Sequence, residues 1–333
     1  MISKELSDKI KVCSIIATLF VVYRHSFVEQ AFGLNDSHVG LLLYYSTKVV
    51  STFTEIAVPL FFIISGFFFF QRSYDDVYSY KKMITKKFQT LFIPFIFWNI
   101  MGLIVLVVSG KFEKVVSVWD FLGNFFLSLY YGPLWYVRDL MILMFFSPLY
   151  LWIFQKRNIF LLLIVLLILL CSWLPVDCRL LSIEGVLFFL LGVLLNYKLD
   201  ILSLKFSPKI ALLLFLVWLC IVFEFNMREH ELMHKISIFL AILSFWISLD
   251  WLPSKIYMFL KNVSKYAFFI YVTHFYFVKT FKIIIAHFFE KNEIVAWGTF
   301  IFLPIACFFI LIYFAQLFNK RYHKIYSLLT GNR

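Results

Sequence analysis

Residues 159–170 read IFLLLIVLLILL, twelve apolar side chains in a row with no charge among them, and comparable runs recur along the chain. A helix built from such a run is apolar on every face, so it cannot present one side to water. Hydrocarbon is the solvent in which it is stable, because a helix satisfies its own backbone hydrogen bonds there. Only 15% of the 333 residues are charged while 62% are hydrophobic, which leaves too little polar surface to coat a water-soluble body of this size. The excess lies in Phe (44 residues), Leu and Ile rather than in period-two segments, which argues for helices over an outer-membrane barrel.

Taking about 20 apolar residues per crossing, the sequence predicts an all-α polytopic membrane protein. Its ten spans fall at 10–28, 49–70, 88–108, 134–154, 159–175, 181–197, 209–225, 235–252, 265–286 and 295–318, and residues 1–333 form one transmembrane domain. The stretch 117–131 (SVWDFLGNFFLSLYY) is amphipathic and aromatic, and is expected to lie in the interface rather than to span. Lys4, Lys9 and Lys11 precede the first span as in a signal peptide, but no small-x-small cleavage site follows. An uncleaved first helix is therefore expected.

The net charge of +12 is compatible with nucleic-acid binding in amount but not in placement. Of the 31 Lys and Arg residues, 20 fall in or beside the termini and loops on one side of the expected spans and seven on the other side, and the remaining four (Arg24, Arg138, Lys279 and Lys282) fall inside spans or at their ends. That asymmetry predicts that both termini are cytoplasmic. The five cysteines (13, 171, 178, 220 and 307) are odd in number and have no CxxC spacing, and no metal-ligand pattern is present; Cys171 and Cys178 flank one loop and could pair.

Ionisable groups inside hydrocarbon cost several kcal/mol and mark functional cavities. Span one ends in Tyr23-Arg24-His25-Ser26, span two carries Glu55, span four opens with Trp135-Tyr136-Val137-Arg138-Asp139, and span nine contains His274. The expected orientation puts His25, Glu55, Arg138, Asp139 and Glu184 in outer halves of their spans, with His274 near mid-depth. An imidazole in such a cluster suits proton abstraction from a hydroxyl. On the inner side, Lys81, Lys82, Lys86 and Lys87 precede span three, and 82 and 86 share a helix face, a pattern able to meet anionic phosphates. Each feature has a plainer reading. His25 fits an interfacial residue at a helix end, Glu55 and Arg138 fit a structural pair between helices, the lysines fit a topology signal, and Ser65-Gly66 fits a close helix contact better than a nucleophile.

Taken in order, VVYRHS, VPLFFIISGF, LFIPFIFW, GPLWYVRDLMIL and KYAFFIYVTH, on a ten-helix layout, resemble the acyltransferase-3 family of integral membrane acyltransferases over essentially the whole chain. The resemblance implies an enzyme, an O-acetyltransferase of the cell envelope in the bacterial plasma membrane. It would move an acyl group, usually acetyl from cytoplasmic acetyl-CoA, to a hydroxyl on an extracytoplasmic sugar, polysaccharide or lipid-linked precursor. No permanently bound cofactor is implied, acyl-CoA being the co-substrate. His25 matches the family's helix-one histidine, the acid/base or acyl-relay group, and Arg138 and His274 fall where members carry polar residues. Together with Glu55 these form the expected catalytic set, and Lys82, Lys86 and Lys87 the expected donor-binding set. Two positions depart from the family pattern: Ser14 stands eleven residues before His25, where Arg or Lys is usual, and Thr90 replaces a basic residue ahead of Pro94. The competing expectation is a transporter or flippase for a lipid-linked sugar or small anion, since His, Glu and Arg in a membrane also serve proton coupling.

Overall fold

In the computed structural model, residues 2–34, 40–70, 77–112, 117–146, 159–171, 181–197, 202–225 and 230–331 are described. Every regular element among them is helical: α1 (Lys4–Arg24), α2 (Leu41–Thr54), α3 (Ala57–Phe70), α4 (Val77–Lys87), α5 (Ile93–Val108), α6 (Val118–Phe126), α7 (Trp135–Phe145), α8 (Ile159–Cys171), α9 (Ile183–Tyr197), α10 (Pro208–Glu224), α11 (Glu231–Ser248), α12 (Ser254–Val263), α13 (Ala267–Phe288), α14 (Glu293–Arg321) and α15 (His323–Thr330). Five helical stretches among the described residues are long and apolar enough to cross a bilayer: 41–69, 80–108, 232–251, 254–288 and 293–321. Two shorter apolar helices run over 159–169 and 183–196. With side chains such as Val108, Phe160, Leu167, Leu213 and Phe302 facing outward, this is a membrane protein.

The expected spans differ from the observed helices where local signals override hydropathy. The second starts eight residues early, at Leu41, and is interrupted at Glu55 and Ile56 before α3 resumes. The third is prolonged backward through α4, joined to α5 by a π-helical turn at Phe88–Phe92. The 117–131 stretch yields only the nine-residue α6, far short of a crossing, with Val118, Trp119, Leu122 and Phe126 exposed. The later part of the fourth span (147–154), the end of the fifth, and Cys178 lie outside the described residues.

The chain divides into two compact units, one comprising Met1–Phe61 and Leu199–Leu317, the other Phe62–Lys198 and Phe318–Arg333. In the first unit α1 packs against α2, α12 and α13, and α10 pairs with α11. Ser3 caps α1, accepting from the Leu6 amide at 3.1 Å, and the first turns of α1 are tied down by ion pairs. Lys9 meets Asp250 at 2.7 Å beside the Trp246 ring, Asp8 meets Lys261 at 2.9 Å, and Glu5 meets Lys205 at 2.7 Å. At the other end of α1 the chain does not run out into solvent. Val28, Phe32 and Leu34 are buried in a cluster with Leu43, Ala286, Ala296 and Phe300, so the segment after His25 is anchored by apolar packing.

In the second unit glycine sets the helix spacing. A Cβ on Gly66 would strike the carbonyl of Phe189, and one on Gly192 would strike the carbonyl of Ile63. α3 and α9 are therefore in backbone contact, the close approach expected of Ser65-Gly66. α15 lies along α5: Trp98 Nε1 donates to the Leu329 carbonyl at 3.2 Å, and Gly331, at φ +68°, ends the helix against the backbone of Thr90.

Candidate active site

In the first unit two histidines expected from the sequence come together. His25 terminates α1, where the chain leaves helical geometry, and His274 sits inside α13; their ring centroids are 5.1 Å apart. The Phe275 ring stands edge-on to His25 at 5.1 Å. His274 is fully buried, and its Nδ1 lies 2.7 Å from the Tyr271 carbonyl and 3.3 Å from that of Ile270. A carbonyl only accepts, so Nδ1 carries the hydrogen, and in the neutral ring Nε2 holds the lone pair. That Nε2 is buried and has no hydrogen-bond partner among the described residues. A buried polar atom left unmatched costs about 1–3 kcal/mol, and a water, a ligand or a proton at Nε2 would offset it.

Glu55 occupies the break between α2 and α3, where the interrupted helix turns its carboxylate sideways. One oxygen pairs with Arg24 at 3.1 Å and the other with His234 Nε2, on α11, at 2.8 Å. Arg24, adjacent to His25, also donates to the Ser51 carbonyl at 3.4 Å. The carboxylate thus joins three helices at the level of the α1 exit, and both of these partners belong to its own unit. His234 was not anticipated. It lies 179 residues from Glu55, and nothing local to Leu232-Met233-His234 distinguishes it from an interfacial histidine.

Arg138 belongs to the second unit and is heavily engaged there. Its Nε and one terminal nitrogen donate to one oxygen of Asp139 at 2.9 and 2.7 Å, and the other terminal nitrogen donates to the Leu127 carbonyl at 3.0 Å. Asp139 is fully buried, and its second oxygen accepts the Ser182 amide at 2.8 Å. Neighbouring residues on one helix are thus locked into a charge-assisted network that fixes the approach to α7 and the start of α9. Ser65 and Tyr136 share a hydrogen bond of 3.2 Å beside it.

The lysines lie at the end of α4 in the same unit. Lys82 and Lys86 are exposed and one turn apart, and Lys87 is half-buried just ahead of the π-helical turn. The two positions that depart from the family pattern carry no charge, and each hydroxyl is spent on its own helix. Ser14 donates to the Ile10 carbonyl at 2.9 Å, and Thr90 to that of Lys87 at 3.4 Å.

No curated protein and no solved structure matches the sequence. A family profile described as an acyltransferase domain does match, over residues 9–315. That match takes in His25, Glu55, the lysines, Arg138 and His274, and covers well over half of the chain. The chain belongs to the acyltransferase-3 family, and it is a membrane acyltransferase.

Proposed function

We propose that the protein is an O-acyltransferase of the bacterial plasma membrane that moves an acyl group, acetyl in the first instance, from cytoplasmic acyl-CoA to a hydroxyl of an extracytoplasmic sugar or envelope polysaccharide precursor. The whole chain works as one transmembrane acyltransferase domain in this reading. The observation that carries it is the His25–His274 pair, in which the buried ring keeps a free lone pair beside a second imidazole.

The chemistry follows from the two rings. His25 accepts the proton of the acceptor hydroxyl as its oxygen attacks the thioester carbonyl; a C–O bond forms and, as the tetrahedral intermediate collapses, the C–S bond breaks. The proton ends on the departing CoA sulfur. His274, its tautomer set by the Tyr271 carbonyl, presents its other ring nitrogen, which has no partner among the described residues, beside the His25 ring as a second site for that proton. Glu55 holds Arg24, the residue before His25, and so steadies the α1 exit. Arg138, which commits three of its N–H groups to Asp139 and Leu127, supports the turn at 127–139. Lys82, Lys86 and Lys87 would receive the CoA phosphates on the inner face. A carrier without covalent chemistry would need the same intramembrane charges, but membership in an acyltransferase family favours transfer.

The test is incubation of detergent-purified protein with radiolabelled acetyl-CoA, with and without envelope polysaccharide fractions. Saturable binding, slow hydrolysis and label appearing in polysaccharide as a base-labile ester are expected. Loss of CoA binding in Lys82→Gln/Lys86→Gln/Lys87→Gln with an unchanged turnover number would assign the lysines to the donor. Movement of an unmodified sugar across vesicles, with no acyl-CoA turnover, would replace this reading with the carrier.

A further inference from the structure

The helix that carries His274 also carries Lys282, two turns further on. The Lys282 ammonium donates to the Phe27 carbonyl at 2.6 Å and reaches the His25 carbonyl at 3.4 Å. These carbonyls belong to the turn by which α1 ends, where the last carbonyls of a helix lack partners within it and the negative end of the helix dipole attracts a cation. A surface lysine would do this weakly and interchangeably. Lys282 is half-buried, reaches the turn from across the helix packing, and spans 257 and 255 residues of sequence to do so. Between it and His274 on α13 lies Val278, one turn from each and with no exposed surface.

We propose that Lys282 is a positioning residue for the histidine pair: by holding the His25 and Phe27 carbonyls from the helix that bears His274, it sets the separation and mutual orientation of the two imidazoles. The proposal rests on the reading of His25 and His274 as the catalytic pair for its consequence, but not for its geometry. One helix supplies both the buried ring and the clamp on its partner, so a movement of α13 carries the two together instead of opening the pair. The anchoring of Val28 and Phe32 limits the turn from the far side and Glu55 holds Arg24 just before it, while among the described residues Lys282 is the side chain of another helix that meets the His25 carbonyl. Arg at this position would preserve the charge and bring a fork of donors suited to two neighbouring carbonyls.

Lys282→Met, Lys282→Gln and Lys282→Arg in full-length protein, reconstituted in nanodiscs with isotopically labelled histidine, test this directly. The first readout is the ring-to-ring magnetic contact between His25 and His274, which needs no substrate. It should be present in the wild type, lost in Lys282→Met and retained in Lys282→Arg, with Lys282→Gln serving if the methionine variant does not fold. The second readout is acyl-CoA turnover, where Lys282→Met should lower kcat about ten- to a hundredfold, the cost of a misplacement near 1 Å, and leave KM within about twofold. An unchanged ring contact in folded Lys282→Met or Lys282→Gln overturns the proposal, as does equal loss of contact in the arginine variant. If the contact behaves as expected but the wild type turns over no acyl-CoA, the positioning role stands and the acyltransferase mechanism built on the pair falls.

Discussion

His25 and His274 lie 249 residues apart in sequence and 5.1 Å apart between ring centroids, one at the exit of α1 and the other buried within α13. The buried ring has spent its Nδ1 hydrogen on backbone carbonyls, which leaves a single nitrogen able to accept. Proximity of two imidazoles is chemically useful only if their tautomers are decided in advance, and here the Tyr271 carbonyl decides one of them.

His274→Gln should therefore cost more activity than its buried position alone suggests. Glutamine keeps a hydrogen-bonding side chain but cannot act as a base at neutral pH. Turnover should fall by about 10²–10⁴-fold, the usual worth of a positioned acid/base group. Thermal denaturation should change far less. Full turnover in folded His274→Gln protein would remove His274 from the chemistry.

Gly66→Ala should destabilise the second unit by about 1–3 kcal/mol, because the added methyl collides with the Phe189 carbonyl, a backbone atom that cannot rotate away. Gly123→Ala is the control. It lies within α6 with open space where its Cβ would go, and helix propensity favours alanine by about 0.5–1 kcal/mol. Unfolding midpoints in detergent should move in opposite directions for the two variants, and equal shifts would contradict the close α3–α9 contact.

The start of α1 should loosen in acid. Lys11 and Lys261 hold the Asp8 carboxyl below its ordinary range, and Lys205 does the same for Glu5. A carboxylate with a depressed folded value contributes its stabilisation above the unfolded pKa, near 4, and loses it as pH falls through the folded value. Amide exchange of residues 4–11, corrected for its intrinsic pH dependence, should be flat between about pH 6 and 8 and rise below about pH 4. The Glu5 pair is exposed and the Asp8 pairs lie at the rim of the helix end, so the global melting temperature should change less than local exchange. Flat corrected exchange down to about pH 3 would mean the pairs do not hold the helix end.

Much of this was legible in the sequence because hydropathy and membrane energetics act locally. Ile159–Cys171 and Ile183–Tyr197 need no tertiary information to be recognised as apolar helices. His25, Glu55 and His274 stood out for a similar reason, since a polar group in an apolar run signals itself. The break of the second span at Glu55 has a local cause in Pro59, which has no N–H for the Glu55 carbonyl four residues back and whose ring crowds it; what was not legible is that the carboxylate at the break pairs with Arg24 and His234. Those partners, like Lys282 on the α1 exit, are chosen by helix packing between segments remote in sequence. Lys282 read as one of four cations within or at the ends of spans, with nothing in Phe281-Lys282-Ile283 to say what it would hold.

The most direct measurement is hydrolysis of radiolabelled acetyl-CoA by detergent-purified wild-type and His25→Ala protein, with folding of both verified by size-exclusion chromatography and thermal denaturation. Saturable hydrolysis that falls by at least about a hundredfold in His25→Ala, with binding of CoA retained, is the expected result. Equal hydrolysis in the two proteins would contradict the assignment of His25 as the group that moves the proton.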